Sequence, residues 1–424
     1  ILGYVGWKVS KAAIGRNNVT IKNCLIEGFQ RSILLADTNS SVVKSIKTMS
    51  DTDPGDINLQ NSFNNKIISN DIFTGGPGFT FGISSNGEGN TISNNTVSAT
   101  RLASGGIALG GKSNLVKGNV VSIAGASETS FMPAFAIFTG SGKNNSVIGN
   151  NVTTTKFAVG VAVSWYGSSN NNVSYNRFKM LGKNGIGIVI DSVDGKNTIT
   201  NNIVLTTGDN AVGILLKNAF AEQEIKSNNI TVNNSIGLVL LSYIYDLVNY
   251  RHIIPDSNYV NSKLIKYIRN KSNLIIDGSN IGQFICVDCK KITLSNANMT
   301  GGNLFLVNTT NSTFKNMFIK TSGSTAQLIL SDRNRFISNS FLTSSGFESI
   351  VLVASSNNTF VKSNVTVKKL DEFADEYTSF GLYDYITGNT TNSANNLAKD
   401  MLLKNENVTV SFKDGLGNSL GSVN

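Results

Sequence analysis

The chain is poor in the residues that build most metal and disulfide sites, with three Cys and one His among 424 residues. Such numbers cannot supply a His-rich zinc site or a framework of several disulfides. Only 15% of the residues are charged, against about 25% in typical soluble domains. The longest apolar stretch, residues 236–241, is far shorter than the about 20 residues of a membrane span. These scarcities argue against zinc enzymes, cystine-rich scaffolds and membrane-spanning helices within these residues.

The distribution of charged residues does not indicate a particular partner. The net charge of +9 is spread over single Lys residues rather than runs, which is typical of a solvated surface. The alternation of aromatic and basic residues found in nucleic-acid grooves is missing, so no nucleic-acid partner is expected. Cys286 and Cys289 stand three apart in a strand-like segment, where side chains face opposite sides. We therefore expect two free thiols rather than a disulfide.

The commonest residue is Asn, and it marks an internal repeat. Two Asn five positions apart, with strand residues between them, recur as NKIISN from Asn65, NTISNN from Asn90, NLVKGN from Asn114 and NSVIGN from Asn145. Related phrases continue to TFVKSN at residues 359–364, with most spacings between 20 and 31 residues. Each unit also holds a Gly followed by alternating apolar residues, as in GIAL from Gly106. Period-two alternation punctuated by Gly, Asn and Ser predicts short strands joined by turns.

A unit of this kind cannot bury its apolar stripe alone. Stacking equivalent strands at about 4.8 Å places Ile, Val and Leu in one internal column. Asn at recurring turns tolerates left-handed backbone and can hydrogen-bond to the Asn of the next coil. The sequence therefore predicts an all-β solenoid of roughly 14–16 coils, from the chain length and the period.

The repeat resembles the right-handed parallel β-helix repeat of pectate-lyase-like proteins, including the NosD-type periplasmic and surface proteins. The resemblance covers residues 1–367 and implies a right-handed parallel β-helix; it is specific for fold and uninformative about function, because lyases, hydrolases, tailspikes and adhesins share the architecture. In its Asn, Ser and Thr content the chain also resembles adhesin-like surface proteins of methanogenic archaea.

Three segments depart from the repeat. Residues 241–272 contain five Tyr and the single His252, and we interpret them either as a long loop with a short helix or as two irregular coils. Such a loop either carries binding or packs its Tyr side chains on neighbouring turns. Residues 368–404 are acidic and aromatic and are expected to cap the solenoid. Residues 405–424 resemble the first hairpin of an immunoglobulin-like module. Both ends of the chain look cut from a longer polypeptide.

The catalytic sets of enzymes with this fold are largely missing. His252 is flanked by Arg251 and Ile253, not by the Gly residues of polygalacturonase-type hydrolases, and the Arg motif of pectate lyases has no match. Acidic residues are scattered singly, which does not favour a paired-carboxylate glycosidase. We therefore expect no catalytic residues and no resident cofactor. A Ca²⁺ site at Asp191 and Asp194 is the weak alternative to a simple turn.

One set of residues suits sugar binding. With the local period of 26, Thr139, Trp165, Asp191 and Lys217 would occupy equivalent positions just beyond an apolar strand. Aromatic rings stack on sugar faces, and charged groups bond to sugar hydroxyls. The candidate glycan face consists of Trp165, Tyr166, Asp191, Lys217, Tyr243 and Tyr245.

The acceptor tripeptide for N-glycosylation is frequent, partly because Asn, Ser and Thr are abundant. The candidate sites are Asn18, Asn39, Asn94, Asn144, Asn151, Asn172, Asn229, Asn233, Asn270, Asn298, Asn308, Asn311, Asn357, Asn364, Asn389 and Asn407. We expect Asn side chains buried in turn ladders to be protected from modification.

Together these features predict a non-enzymatic, extracellular cell-surface protein: a β-helical stalk or adhesin-like module, or a component of a surface layer or filament. Cell-surface or host glycans are the expected partners, and an uncapped coil would allow self-association into arrays. The alternative is a carbohydrate-active enzyme of the polysaccharide-lyase type, or a sugar-binding module, that uses the face formed by Trp165, Asp191 and Lys217.

Overall fold

A computed structural model describes the chain from residue 9 onward, as β-strands with one short 3₁₀ helix among the described residues. The description leaves out residues 1–8, 30, 51–55, 76–79, 102–103, 128–132, 165, 234, 243–245, 345–348, 368–379, 384–396, 400–401, 406–409, 414–418 and 424. The chain divides into two compact units, residues 1–228 and residues 229–424. No helix in the described part is both long and apolar enough to cross a membrane.

The first unit is a coil whose strands fall into three parallel sheets, here called A, B and C. Sheet A contains β1 (Val9–Ile14), β4 (Arg31–Ala36), β7 (Ile57–Gln60), β10 (Phe81–Asn86), β13 (Gly105–Gly110), β16 (Ala134–Gly140), β19 (Ala158–Ser164), β22 (Ile186–Asp191) and β25 (Val212–Lys217). Sheet B contains β2 (Thr20–Lys22), β5 (Val42–Lys44), β8 (Lys66–Ile68), β11 (Thr91–Ser93), β14 (Leu115–Lys117), β17 (Ser146–Ile148), β20 (Asn172–Ser174), β23 (Thr198–Thr200) and β26 (Glu224–Lys226). Sheet C contains β3 (Leu25–Glu27), β6 (Lys47–Ser50), β9 (Asp71–Thr74), β12 (Thr96–Ala99), β15 (Val120–Ile123), β18 (Asn151–Thr154), β21 (Arg177–Met180) and β24 (Ile203–Thr206).

Apolar residues stack in columns inside this unit. In sheet A the strands pair in parallel so that one fully buried column runs through Ile33, Ile57, Ile83, Ile107, Ile137, Val161, Ile188 and Ile214. β-branched side chains pack well on a pleated surface. Because each strand finds its apolar neighbours only in the adjacent coils, burial depends on the stacking itself.

Two columns of buried Asn flank sheet B and explain the spacing of five. The column before sheet B runs through Asn65, Asn90, Asn114, Asn145, Asn171, Asn197 and Gln223, and the column after it through Asn70, Asn95, Asn119, Asn150, Asn176, Asn202 and Asn228. In each step the side-chain oxygen accepts from the backbone N–H of the preceding column member, as Asn90 Oδ1 does from Asn65 over 2.9 Å. The amide nitrogen donates to a carbonyl of the preceding coil, as from Asn95 to Ile67 over 2.9 Å. The predicted Asn ladder is therefore confirmed.

The second unit begins with a connecting region and continues as a second coil. The connecting region contains β27 (Asn229–Val232), β28 (Ile236–Leu241), the 3₁₀ helix η1 (Leu247–Tyr250) and β29 (Tyr259–Val260), which pairs antiparallel with β30 (Lys263–Arg269). Sheet D continues from β30 through β32 (Ile281–Val287), β35 (Leu304–Val307), β38 (Ala326–Ile329), β41 (Ile350–Val353) and β44 (Phe380–Tyr383). Sheet E contains β31 (Ile275–Asp277), β33 (Thr293–Ser295), β36 (Thr313–Lys315), β39 (Arg335–Ile337), β42 (Thr359–Val361) and β45 (Leu397–Lys399). Sheet F contains β34 (Asn298–Thr300), β37 (Phe318–Thr321), β40 (Ser340–Thr343), β43 (Asn364–Val367) and β46 (Leu402–Asn405).

Aromatic residues take the place of many aliphatic ones in the second core. Phe314, Phe336 and Phe360 lie in register on sheet E and stack with ring centroids 5.2 and 4.3 Å apart. All three are fully buried. The parallel pairing aligns the rings in a single column, with 22 residues between Phe314 and Phe336 and 24 between Phe336 and Phe360.

The predicted all-β parallel β-helix is confirmed, with about 13 turns against the 14–16 expected. Within 368–404, where a cap is expected, the described strands β44, β45 and β46 pair in parallel with β41, β42 and β43 and so continue the coil. In the final segment, β47 (Val410–Lys413) and β48 (Ser419–Val423) pair antiparallel. The immunoglobulin-like character of that segment stays a prediction.

The prediction of two free thiols at Cys286 and Cys289 is wrong. The two sulfurs form a disulfide, and their Cα atoms are 6.0 Å apart. The strand β32 ends at Val287, and Asp288 takes a left-handed backbone with φ of 55°. This turn breaks the alternation of the strand, so both Cys side chains point into the core and both residues are buried. Cys24 is not part of a disulfide, and its Sγ donates to the carbonyl of Lys22 over 3.1 Å.

Candidate functional site

A stacked pair of one exposed and one half-buried aromatic ring lies at the edge of the first unit where the strands of sheet A end. Tyr166 follows β19, and Phe220 lies after β25. Their rings stack with centroids 5.9 Å apart and planes inclined by 9°. Tyr166 is 67% exposed, so the phenol ring is held in place by Phe220 while it remains open to solvent. The sequence indicated Tyr166 but not Phe220, because only the coil brings residues 54 positions apart into contact.

Charged residues occupy the same edge. Lys217 Nζ lies 3.1 Å from Asp191 Oδ2, and Ser192 Oγ donates to Asp191 Oδ1 over 2.9 Å. The strand register pairs Asp191 with Lys217, as expected. It pairs Asp191 with Ser164 rather than with residue 165, however, and Thr139 with Val163. The assumed period of 26 fails in two coils: 27 residues separate Ser164 from Asp191, and 24 separate Thr139 from Val163. These differences in coil length shift the register.

Asp194 has a different role from a calcium ligand. Its Oδ1 accepts from the backbone N–H of Gly167 over 2.8 Å and so orients the turn that carries Tyr166. Asp191 directs its oxygens to Lys217 and Ser192. Among the residues that the structure describes, no group of three or more His, Cys, Asp and Glu could hold a metal ion.

Three members of the predicted glycan face, Trp165, Tyr243 and Tyr245, lie outside the described residues. The face that the structure describes therefore consists of Tyr166, Phe220, Asp191 and Lys217, with Asp194 supporting the turn.

The described residues of the interruption, 241–242 and 246–272, form a scaffold of hydrogen bonds and ring contacts in the second unit. Asp246 caps η1 by accepting from the N–H of Val248 over 3.1 Å. Tyr250 is buried and contacts Phe305, with ring centroids 5.8 Å apart. The hydroxyl of Tyr267 donates to the carbonyl of Tyr250 over 2.8 Å and accepts from the N–H of His252 over 3.1 Å. Tyr250 and Tyr267 thus pack on neighbouring turns, as one of the two interpretations expected, whereas Tyr259 is 40% exposed and Tyr243 and Tyr245 lie outside the described residues.

A cavity of about 560 Å³ opens beside this scaffold, lined by Arg251, Arg269, Asn270 and Asp288. Arg251 Nε lies 2.8 Å from Asp288 Oδ2, and Asn308 Nδ2 donates to Asp288 Oδ1 over 2.8 Å. Burial raises the pKa of Asp288, but donation from Arg251 and Asn308 outweighs burial and lowers it below its ordinary value. The bond to Asp288 in turn raises the pKa of Arg251. Sequence reasoning missed this cluster, although Arg251 stands inside the interruption that it singled out.

The candidate glycosylation sites separate cleanly from the Asn ladders. Asn389 and Asn407 lie outside the described residues. Asn39, Asn172 and Asn308 are half-buried, and the remaining candidates are exposed. None of the described candidates belongs to either buried column, so accessibility does not prevent their modification.

The comparisons with known proteins agree with the coil. The model of the family described as "Periplasmic copper-binding protein (NosD)" matches residues 10–206, which lie in the first unit. Residues 10–206 carry the NosD-type parallel β-helix repeat. The match covers just under half of the chain, and no curated protein sequence matches it.

The name of the NosD family implies copper, and the matched residues do not fit that metal. Copper prefers imidazole, thiolate and thioether ligands. The matched range contains no His and a single Cys, Cys24. Of its three Met, Met132 lies outside the described residues, and Met49 on β6 and Met180 on β21 are separated by four strands of sheet C. The only His of the chain, His252, is buried outside the range, with Nε2 2.9 Å from the carbonyl oxygen of Asn249. We therefore assign no role to copper in this chain.

Solved structures with similar coils include phage and bacterial proteins. A tailspike protein of E. coli bacteriophage HK620, solved in complex with a hexasaccharide, matches at 13% identity with a TM-score of 0.44, and the comparison covers 93% of this chain and 62% of the tailspike. The A-module of a mannuronan C-5 epimerase from Azotobacter vinelandii matches at 9% identity with a TM-score of 0.24, over 93% of this chain and 91% of the module. The chain thus spans less than two thirds of the length of the tailspike.

Proposed function

We propose that this chain is a non-enzymatic, glycan-binding β-helical protein that works outside the cytoplasm, at the cell surface or in the periplasm. The observation that carries the proposal is the exposed ring of Tyr166, stacked on the half-buried Phe220, beside the ion pair of Asp191 and Lys217. An aromatic ring fixed before binding offers a large contact area at little entropic cost. The neighbouring charged groups can bond to hydroxyls, which gives the face both parts that sugar recognition requires.

The proposed location outside the cytoplasm is supported by a disulfide bond. The disulfide between Cys286 and Cys289 is of the kind that persists in oxidising compartments and is rare in the cytosol. The match to a family named as periplasmic points in the same direction. The exposed acceptor tripeptides would allow N-glycosylation in a host that performs it.

The contacts and burial of two acidic residues, Asp191 and Asp56, support the proposal that the chain is not an enzyme. Asp191 is held by Lys217, so its charge is already compensated. Asp56, whose pKa burial raises to about 7, has the value of a general acid. It is 0% exposed, however, and cannot reach a polymeric substrate. An adhesin-like or structural role at the surface follows from this combination of a rigid coil and a binding face.

The test is retention of glycans by variants of the purified chain. We expect Tyr166→Ala to weaken binding by about tenfold or more, equivalent to about 1.4 kcal/mol, without a change in thermal unfolding. Tyr175→Ala is the matched control, because Tyr175 is also 67% exposed but follows sheet B. Binding by Tyr166→Ala as strong as that of the wild type, or an equal loss in Tyr175→Ala, would show that glycans do not bind at this face. Release of shortened or unsaturated products from a bound glycan would overturn the non-enzymatic assignment.

A further inference from the structure

A second candidate site lies in the second unit, and none of its residues contributes to the Tyr166 face. It is the cavity lined by Arg251, Arg269, Asn270 and Asp288. Its volume of about 560 Å³ falls within the range of about 300–1,000 Å³ found for small-molecule sites. Two guanidinium groups converge there although only 15% of the residues in the chain are charged.

Arg251 is held by backbone contacts on both sides. The carbonyl of Tyr250 and the N–H of His252 both bond to the Tyr267 hydroxyl, at 2.8 and 3.1 Å. The Arg251 N–H itself donates to the carbonyl of Val248 over 3.2 Å. The side chain of Arg251 is nevertheless 43% exposed. A cation on a fixed backbone with an accessible side chain is preorganised for a ligand, because little conformational freedom is lost on binding.

Asp288 orients the site and sets its charge. It accepts from Arg251 Nε and from Asn308, so both carboxylate oxygens have protein donors. A guanidinium has five N–H donors, so Arg251, which lines the cavity, has donors beyond the one that Nε gives to Asp288. Arg251 and Arg269 with Asp288 give the lining one net positive charge. Asp246 also acts on Arg251, so the positive excess is small and suits a ligand with one negative charge better than a ligand with several.

We propose that this cavity binds the carboxylate of a single acidic sugar residue. The donor fork of Arg matches a planar carboxylate bidentately, and the small positive excess of the lining favours this monoanion over a phosphate group with two negative charges. The amide of Asn270, which also lines the cavity, can bond to a sugar hydroxyl. The lining holds one net charge rather than a row of cations, so the site suits one terminal or branch residue and not a polyuronate chain. The proposal that the ligand is a sugar rests on the proposed function, whereas the proposal that it carries a carboxylate does not.

The experiment is calorimetric titration of the intact chain with N-acetylneuraminate and with glucuronate, each beside its methyl ester. We expect at least one free acid to bind, its ester not to bind, and polyglucuronate to bind no more tightly per site than the monosaccharide. Inorganic phosphate should compete poorly. Binding of acid and ester alike, no binding of either acid, tighter binding of the polymer, or phosphate binding as strong as that of the acid would each overturn the proposal.

Substitutions of the lining residues test whether the acid binds in the cavity. We expect Arg251→Gln and Arg269→Gln each to weaken acid binding by about tenfold, with Arg251→Lys recovering only part because a Lys is not bidentate. Arg335→Gln removes an exposed Arg from β39 and should leave affinity unchanged. Tyr166→Ala should also leave it unchanged, which separates this proposal from the glycan face. Equal affinity in both Arg251→Gln and Arg269→Gln, each folded by thermal unfolding, would contradict the assignment.

Discussion

Asn94 and Asn95 are adjacent in the chain and serve opposite purposes in the coil. Asn94 is exposed and takes a left-handed backbone with φ of 55°. Asn95 is buried, and its amide donates to Asn119 Oδ1 and to the carbonyl of Ile67, each over 2.9 Å. Asn suits the first position because it tolerates positive φ, and the second because it carries a donor and an acceptor. The Asn–Asn pairs of the repeat therefore combine a turn residue with a ladder residue.

The first prediction concerns this pair. We expect Asn95→Ala to lower the free energy of unfolding by about 2–4 kcal/mol, because buried backbone groups lose their partners. Asn94→Gly should change it by only a few tenths of a kcal/mol, since Gly adopts positive φ readily. Urea denaturation followed by circular dichroism measures both. A similar loss in the two variants would contradict the division of roles.

The second prediction concerns pH. Burial raises the pKa of Asp56 to about 7, and the bond from Ser32 Oγ over 3.0 Å offsets only part of that effect. Between about pH 4 and 7 the folded chain keeps a proton that the unfolded chain has lost, so stability falls as pH rises through this window. The loss reaches up to about 4 kcal/mol, at about 1.36 kcal/mol for each pH unit. Asp56→Asn should abolish this part of the decline.

Unfolding of the wild type and of Asp56→Asn at pH 4.5 and pH 8 measures the effect. The variant should gain most over the wild type at pH 8, where the wild-type carboxyl group is ionised. Parallel stability curves for the two proteins across this range would show that Asp56 does not cause the decline.

The third prediction concerns thiols. Because Cys286 and Cys289 form a disulfide, the denatured, unreduced chain should present one reactive thiol, that of Cys24. After reduction it should present three. Cys24→Ser should reduce the first value to zero. Three thiols without reductant would show that the pair is reduced in the purified protein.

Much of the fold follows from local pattern. The apolar residues of sheet A and the Asn of the two ladders recur at intervals that only stacked coils can satisfy, since a single coil leaves Ile107 or Asn119 without neighbours. The binding face is harder to predict from the repeat pattern. Asp191 and Lys217 were predicted to be adjacent because their coil has the regular period, whereas Phe220 reaches Tyr166 across an intervening coil.

The sequence by itself determined the coil, because its apolar and Asn periods are physical requirements of parallel stacking. Tertiary structure decided the features that depend on single turns. One extra residue between β19 and β22 placed Ser164 beside Asp191, and the left-handed backbone of Asp288 brought Cys286 and Cys289 together. The fold of the interruption set Arg251 against Asp288, 37 positions away. Turn geometry depends on contacts with neighbouring coils, and the repeat period alone does not predict those contacts.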